Sequence, residues 1–169
     1  MSLGTQIVRA VQKEAAMQRP LPLSARARST LPKGGSAEVE VVVQDHDRFS
    51  HMAEAIKVKS HPANPGARKP EANAKAFCDK TTYLTERLRF VESDAAGAAV
   101  VRSTPETMRE KRAEYYEAKV GSDEISLQRF KPNPTGPGRE AVPFHVTDDT
   151  LARIVDDATQ ILTEPPIRK

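Results

Sequence analysis

The sequence has no tryptophan, a single cysteine and only 5% aromatic residues. A lone Cys78 closes no internal disulfide and supplies no paired zinc ligands, which points to a reducing compartment. No run of about eighteen apolar residues occurs, so no helical membrane span is expected. The N-terminus lacks the apolar core of a secretory signal. The hydrolase elbow G-x-S-x-G, the H-E-x-x-H zinc motif, the P-loop and the dinucleotide-binding glycine pattern are all missing. These absences lower the expectation of an enzyme, and no cofactor or metal is expected. At 38% hydrophobic residues the core should be modest, and thirteen Pro against eight Gly imply stiff connectors.

What the chain does have is an uneven charge. Over 169 residues its formal net charge is +3 and its isoelectric point about 9.1. Residues 1–35 hold Arg9, Lys13, Arg19, Arg26, Arg28 and Lys33 against Glu14 alone, a local +5 that leaves −2 for the rest. Ile7, Val8, Val11 and Ala15 share one face of a helix, with Arg9 and Lys13 opposite. Pro20 and Pro22 then end it. An Arg-rich, amphipathic, nearly acid-free segment has the composition of a mitochondrial presequence. Residues 1–35 therefore read as a basic arm, joined to the body through "LPKGGS" (31–36) as a flexible joint. The expected location is mitochondrial, with the cytoplasm as the alternative. Ile7, Val8 and Val11 are candidates for a groove on a partner, and Arg26 and Arg28 for its acidic rim or for lipid headgroups at a membrane surface.

Residues 36–163 read as one α+β domain and 164–169 as a tail. Period-two alternation predicts strands at 37–43 and 53–59, pairing as a hairpin. Residues 60–74 read as a Pro-rich loop. "TTYLTERLRFV" (81–91) is taken as a strand with Leu84, Leu88 and Phe90 on one side, a helix being the alternative, and 98–103 as a short strand. Thr104, Pro105, Glu106 and Gly121 have the chemistry of helix ends and predict a helix over 104–121. A strand at 123–130, a long turn and a partner strand at 140–146 follow. The last element is a helix from Thr147 or Asp148, with Leu151, Ile154, Val155, Ala158, Ile161 and Leu162 on its apolar face and Asp156 opposite. The expected architecture is an antiparallel sheet with at least two helices on one face.

Candidate chemistry is sparse. Asp45, His46, Asp47 and His51 gather donors suited to a divalent metal, but a polar hairpin loop has the same composition and is the preferred reading. His145 reads as structural and Cys78 as a partly buried thiol. Arg-Phe recurs at 48–49, 89–90 and 129–130 without supporting identities around it. Tyr83, Arg87, Arg89 and Phe90 interleave cations and aromatics, as strands that bind single-stranded nucleic acid do. The leading expectation is a non-enzymatic accessory subunit of a larger protein assembly. A nucleic-acid-binding module using Tyr83, Arg87, Arg89 and Phe90 is second, and a small enzyme third.

Overall fold

The computed structural model describes residues 1–32, 34–61, 69–84, 86–103, 114–133 and 135–163. Among these residues three helices, α1 (Leu3–Ala16), α2 (Pro70–Lys80) and α3 (Asp148–Thr163), are combined with nine strands. The strands are β1 (Leu23–Thr30), β2 (Ser36–His46), β3 (Ser50–His61), β4 (Leu88–Ser93), β5 (Ala99–Ser103), β6 (Tyr115–Val120), β7 (Glu124–Pro132), β8 (Arg139–Val142) and β9 (Phe144–Thr147). They form one antiparallel sheet in the order β1-β2-β3-β7-β6-β5-β4. The α+β class expected from the sequence is thus the class observed.

Where β3 and β7 part, the chain fills the gap. β3 pairs with β7 through residues 56–59 but with β9 through 50–53, while β7 turns from β3 to β8 at Arg129. The expected single partner strand at 140–146 is therefore two strands, divided at Pro143, whose missing N–H interrupts the ladder.

Registered pairs define the two faces of the sheet. Val39, Val58, Ile125, Val120 and Ala99 lie in one cross-strand row, and Ala25, Val41, Ile56, Leu127, Ala118 and Val101 in the next. All of these are buried. The helices cover this face: α1 lies on β1 and β2, α3 on β3, and α2 on β4–β6, with α3 touching both other helices. The six apolar residues expected to face inward on α3 are all buried. Thr147 Oγ1 caps that helix by accepting from the Thr150 N–H at 3.2 Å.

The N-terminal segment overturns the expectation of a separate arm. Ile7 and Val11 are fully buried in the common core, and Leu3 and Val8 pack with them. They are not available to a partner's groove or a membrane surface. Ser2 caps α1, and the Gly4 N–H donates to Asp156 Oδ1 at 2.8 Å, so Asp156 does not face open solvent. A Cβ on Gly4 would stand 2.2 Å from the Ala152 carbonyl oxygen, so glycine is what permits α1 and α3 to approach so closely. Arg26 and Arg28 lie on β1, paired residue for residue with β2. The stretch taken as a joint is the β1–β2 hairpin turn, where Gly34 and Gly35 adopt φ of 95° and 82° and the Leu31 N–H donates to the Gly35 carbonyl at 3.0 Å.

Two further corrections concern periodicity. Tyr115–Val120 is strand, not the second half of a helix: Tyr116, Ala118 and Val120 point into the core, while Glu117 and Lys119 point away. Cross-strand packing overrides the helix-favouring Glu, Ala and Lys. The first part of that expected helix, 104–113, and the tail 164–169 lie outside the described residues. The other correction is α2, whose first residues, 70–74, fall in the stretch taken as loop. Its buried stripe is only Asn73, Ala74 and Phe77, too short an apolar signal to stand out. Pro70 at its first turn and Glu71 beside it were the legible signs.

Candidate functional site

The face of the sheet away from the helices is open and polar, and its two halves differ. On the β1–β3 side cations and carboxylates alternate across the strands. Arg26 Nη2 meets Glu40 Oε2 at 2.7 Å, and Lys57 Nζ meets Glu124 Oε1 at 3.3 Å. His61 Nε2 lies 3.1 Å from Glu38 Oε1, and Arg28 donates to Ser36 Oγ. Arg26, Arg28, Glu38, Glu40, Lys57 and Glu124 line a shallow depression of about 420 Å³. Such opposed charges balance one another in solvent and contribute little stability each.

On the β4–β7 side the balance fails. Arg89 of β4 and Arg102 of β5 are directly opposed, and the next residue in that row is Glu117 of β6. Glu117 is 4% exposed and takes bonds from two arginines. Arg102 Nε lies 2.8 Å from Oε1, and Arg139 reaches Oε1 at 2.8 Å and Oε2 at 2.6 Å. Burial works against ionisation of Glu117, but the bonds from Arg139 and Arg102 outweigh it and hold the carboxyl below its ordinary value of 4.5. Arg139 also stacks 3.8 Å above the Phe130 ring and donates to the Tyr115 hydroxyl at 3.3 Å. Two guanidinium groups thus share one carboxylate, and a third, that of Arg89, lies in the same row. Arg89 makes no hydrogen bond or ion pair among the described residues.

Beside this cluster lies the β4 edge. Among the described strands β4 pairs with β5 alone, and the register shifts between Phe90 and Glu92, so Val91 is the extra residue of a bulge. Phe90 and Val91 are 48% and 45% exposed. The expected apolar side of this strand is thus buried only at Leu88. The opposite edge, β1, carries Arg26 and Arg28 with exposed side chains.

The four residues proposed for nucleic acid are not brought together. Tyr83 precedes β4 in a turn and is bound to α3: its hydroxyl donates to Asp157 Oδ2 at 2.9 Å, and Arg153 lies 4.3 Å from its ring centroid. Burial, then the charge of Asp157, pushes its phenol up from the ordinary range. Arg87 is exposed before the strand begins. Only Arg89 joins the open face, while Phe90 shares the helix side with Val101. The aromatics on the open face are Tyr115 and Phe130, 6.1 Å apart. Reading 104–121 as helix concealed Tyr115 and so its pairing with Phe130, which was expected on a strand.

The Asp/His cluster is also dispersed. Asp47 Oδ1 accepts from the Phe49 and Ser50 N–H groups of the β2–β3 turn, and these bonds hold its carboxyl below the usual range. His51 is buried, with Nε2 2.6 Å from Asp148 Oδ1; the other oxygen of Asp148 accepts from Gln12. That chain of bonds ties β3, α3 and α1 together. No group of three or more potential metal ligands occurs among the described residues. His145 is exposed on β9, against the structural role expected of it. Cys78 is partly buried, and burial raises its thiol above the ordinary value. The Arg-Phe dipeptides fall in a hairpin turn, in β4 and in β7, three unlike settings.

No protein-family model matches the sequence, and no curated protein and no solved structure matches it significantly. No helix among the described residues is long and apolar enough to cross a membrane.

Proposed function

We propose that the protein is a non-enzymatic accessory subunit of a larger assembly, and that it joins the assembly through the β4 edge of its sheet. The observation that carries this reading is the pair Phe90 and Val91, about half exposed on a strand with one neighbour among the described residues. Folded β proteins blunt their edges with charge, proline or a covering element. The β1 edge does so with Arg26 and Arg28; β4 carries the charged Arg89 and Glu92 but sets two exposed apolar side chains, Phe90 and Val91, between them. An unpaired strand of that composition is completed when an extended partner segment adds to it.

A second reading is favoured by one observation. Arg89, Arg102 and Arg139 share the open face with Tyr115 and Phe130, the combination that binds single-stranded nucleic acid. Against it, Arg139 already covers the Phe130 ring, removing a stacking surface. A mitochondrial location belongs to the first proposal and is supported by the composition of residues 1–35 alone.

The test is a Phe90→Lys/Val91→Lys variant. Both side chains are exposed, so the unfolding free energy should change by no more than about 0.5 kcal/mol. In size fractionation of native extract, the variant should leave the high-mass fraction occupied by the unaltered chain. Co-migration of variant and unaltered protein would rule the edge out.

A further inference from the structure

We infer that the segment taken up at β4 is an acidic peptide strand, with one carboxylate side chain seated between Arg89 and Arg102 and an apolar neighbour on Phe90. This rests on the edge-docking reading above. A strand added beside β4 sends alternate side chains to opposite faces of the sheet. On the open face its nearest neighbour is Arg89, with Arg102 directly behind. On the helix side it meets Phe90.

Directly opposed like charges destabilise a sheet pair, with side-chain origins only about 5 Å apart. On the β1–β3 part of this face Arg26 and Lys57 each meet a carboxylate, Glu40 and Glu124. The Arg89–Arg102 pair has no such answer of its own. Glu117 binds Arg102 through Nε only and is shared with Arg139. The outer nitrogens of Arg102 have no partner among the described residues, and its side chain is 37% exposed. Two guanidinium groups side by side match a carboxylate in charge and in donor geometry. Glu92 sits further along the same face, opposite Val100, and disfavours a second acidic side chain there. The site therefore selects one acidic position rather than a uniformly acidic run.

The experiment uses the full chain and three acetylated nine-residue peptides of alternating Thr and Val. Their central Thr is replaced by Glu, by Lys, or kept. Fluorescence anisotropy reports binding, with a twenty-residue oligothymidine as a fourth probe. The Glu peptide should bind about tenfold more tightly than the Lys peptide, the sum of one favourable and one avoided unfavourable charge contact. Arg89→Glu, at an exposed side chain, should reverse the order. Equal binding of all three peptides, lost in Phe90→Lys, overturns the acidic preference and leaves edge docking standing. Failure of every peptide overturns both, and Arg89-dependent binding of the oligothymidine alone assigns the arginines to phosphate instead.

Discussion

Deleting residues 1–34 leaves a chain without a cooperative thermal transition. The deletion removes α1 and β1 and with them the buried Leu3, Ile7, Val11 and Leu23. Full burial of such side chains stabilises by about 1.5–3 kcal/mol each. Their joint loss, about 6–12 kcal/mol, is as large as the whole stability of an ordinary domain. It also uncovers Val39, Val41 and Val43 on β2 and the side of α3 that meets α1. The remaining edge would be a long apolar strand prone to pairing between chains. Circular dichroism on heating checks this. A sharp transition near that of the full chain would restore residues 1–35 to the status of an arm.

Val155→Asp is expected to destabilise by about 4 kcal/mol or more, since it places a carboxylate where no partner exists. Val155 is fully buried on the face of α3 that packs on the sheet and on α1. For a chain of this length the melting temperature should fall by about 10 °C. Asp149→Ala, exposed in the first turn of the same helix, should change stability by less than about 1 kcal/mol. Similar shifts for the two variants would contradict the helix phase.

The elements legible in the sequence are those whose apolar residues repeat without interruption. In α3 six large or medium apolar residues recur at helical spacing, and in β2 three valines alternate. Each pattern had one structural solution. The N-terminal stripe of Ile7, Val8 and Val11 was equally regular, but a stripe says only that it will be buried, not against what. Its place beneath β1 and against α3 depends on a contact 148 positions away in sequence, Gly4 on Ala152, which no local pattern encodes. The β6 strand was hidden by residues that favour helices, and α2 by a stripe of Asn, Ala and Phe. The candidate site suffered most. Arg89, Arg102, Glu117 and Arg139 come from four strands, and the unbalanced charge appears only when the register sets them side by side. Counting charge along the chain placed the surplus in residues 1–35. Across the sheet, the β1–β2 part of that surplus is met by Glu38 and Glu40, and the unmet charge lies near β4.

Hydrogen exchange of the free chain against the native assembly tests the central claim most directly. The account predicts that amides of Leu88–Ser93 slow on assembly, as their open edge gains a neighbour. Those of Leu3–Ala16 should be slow in both states, because α1 is held by the core throughout. Protection that appears in Leu3–Ala16 on assembly, with Leu88–Ser93 unchanged, would contradict it.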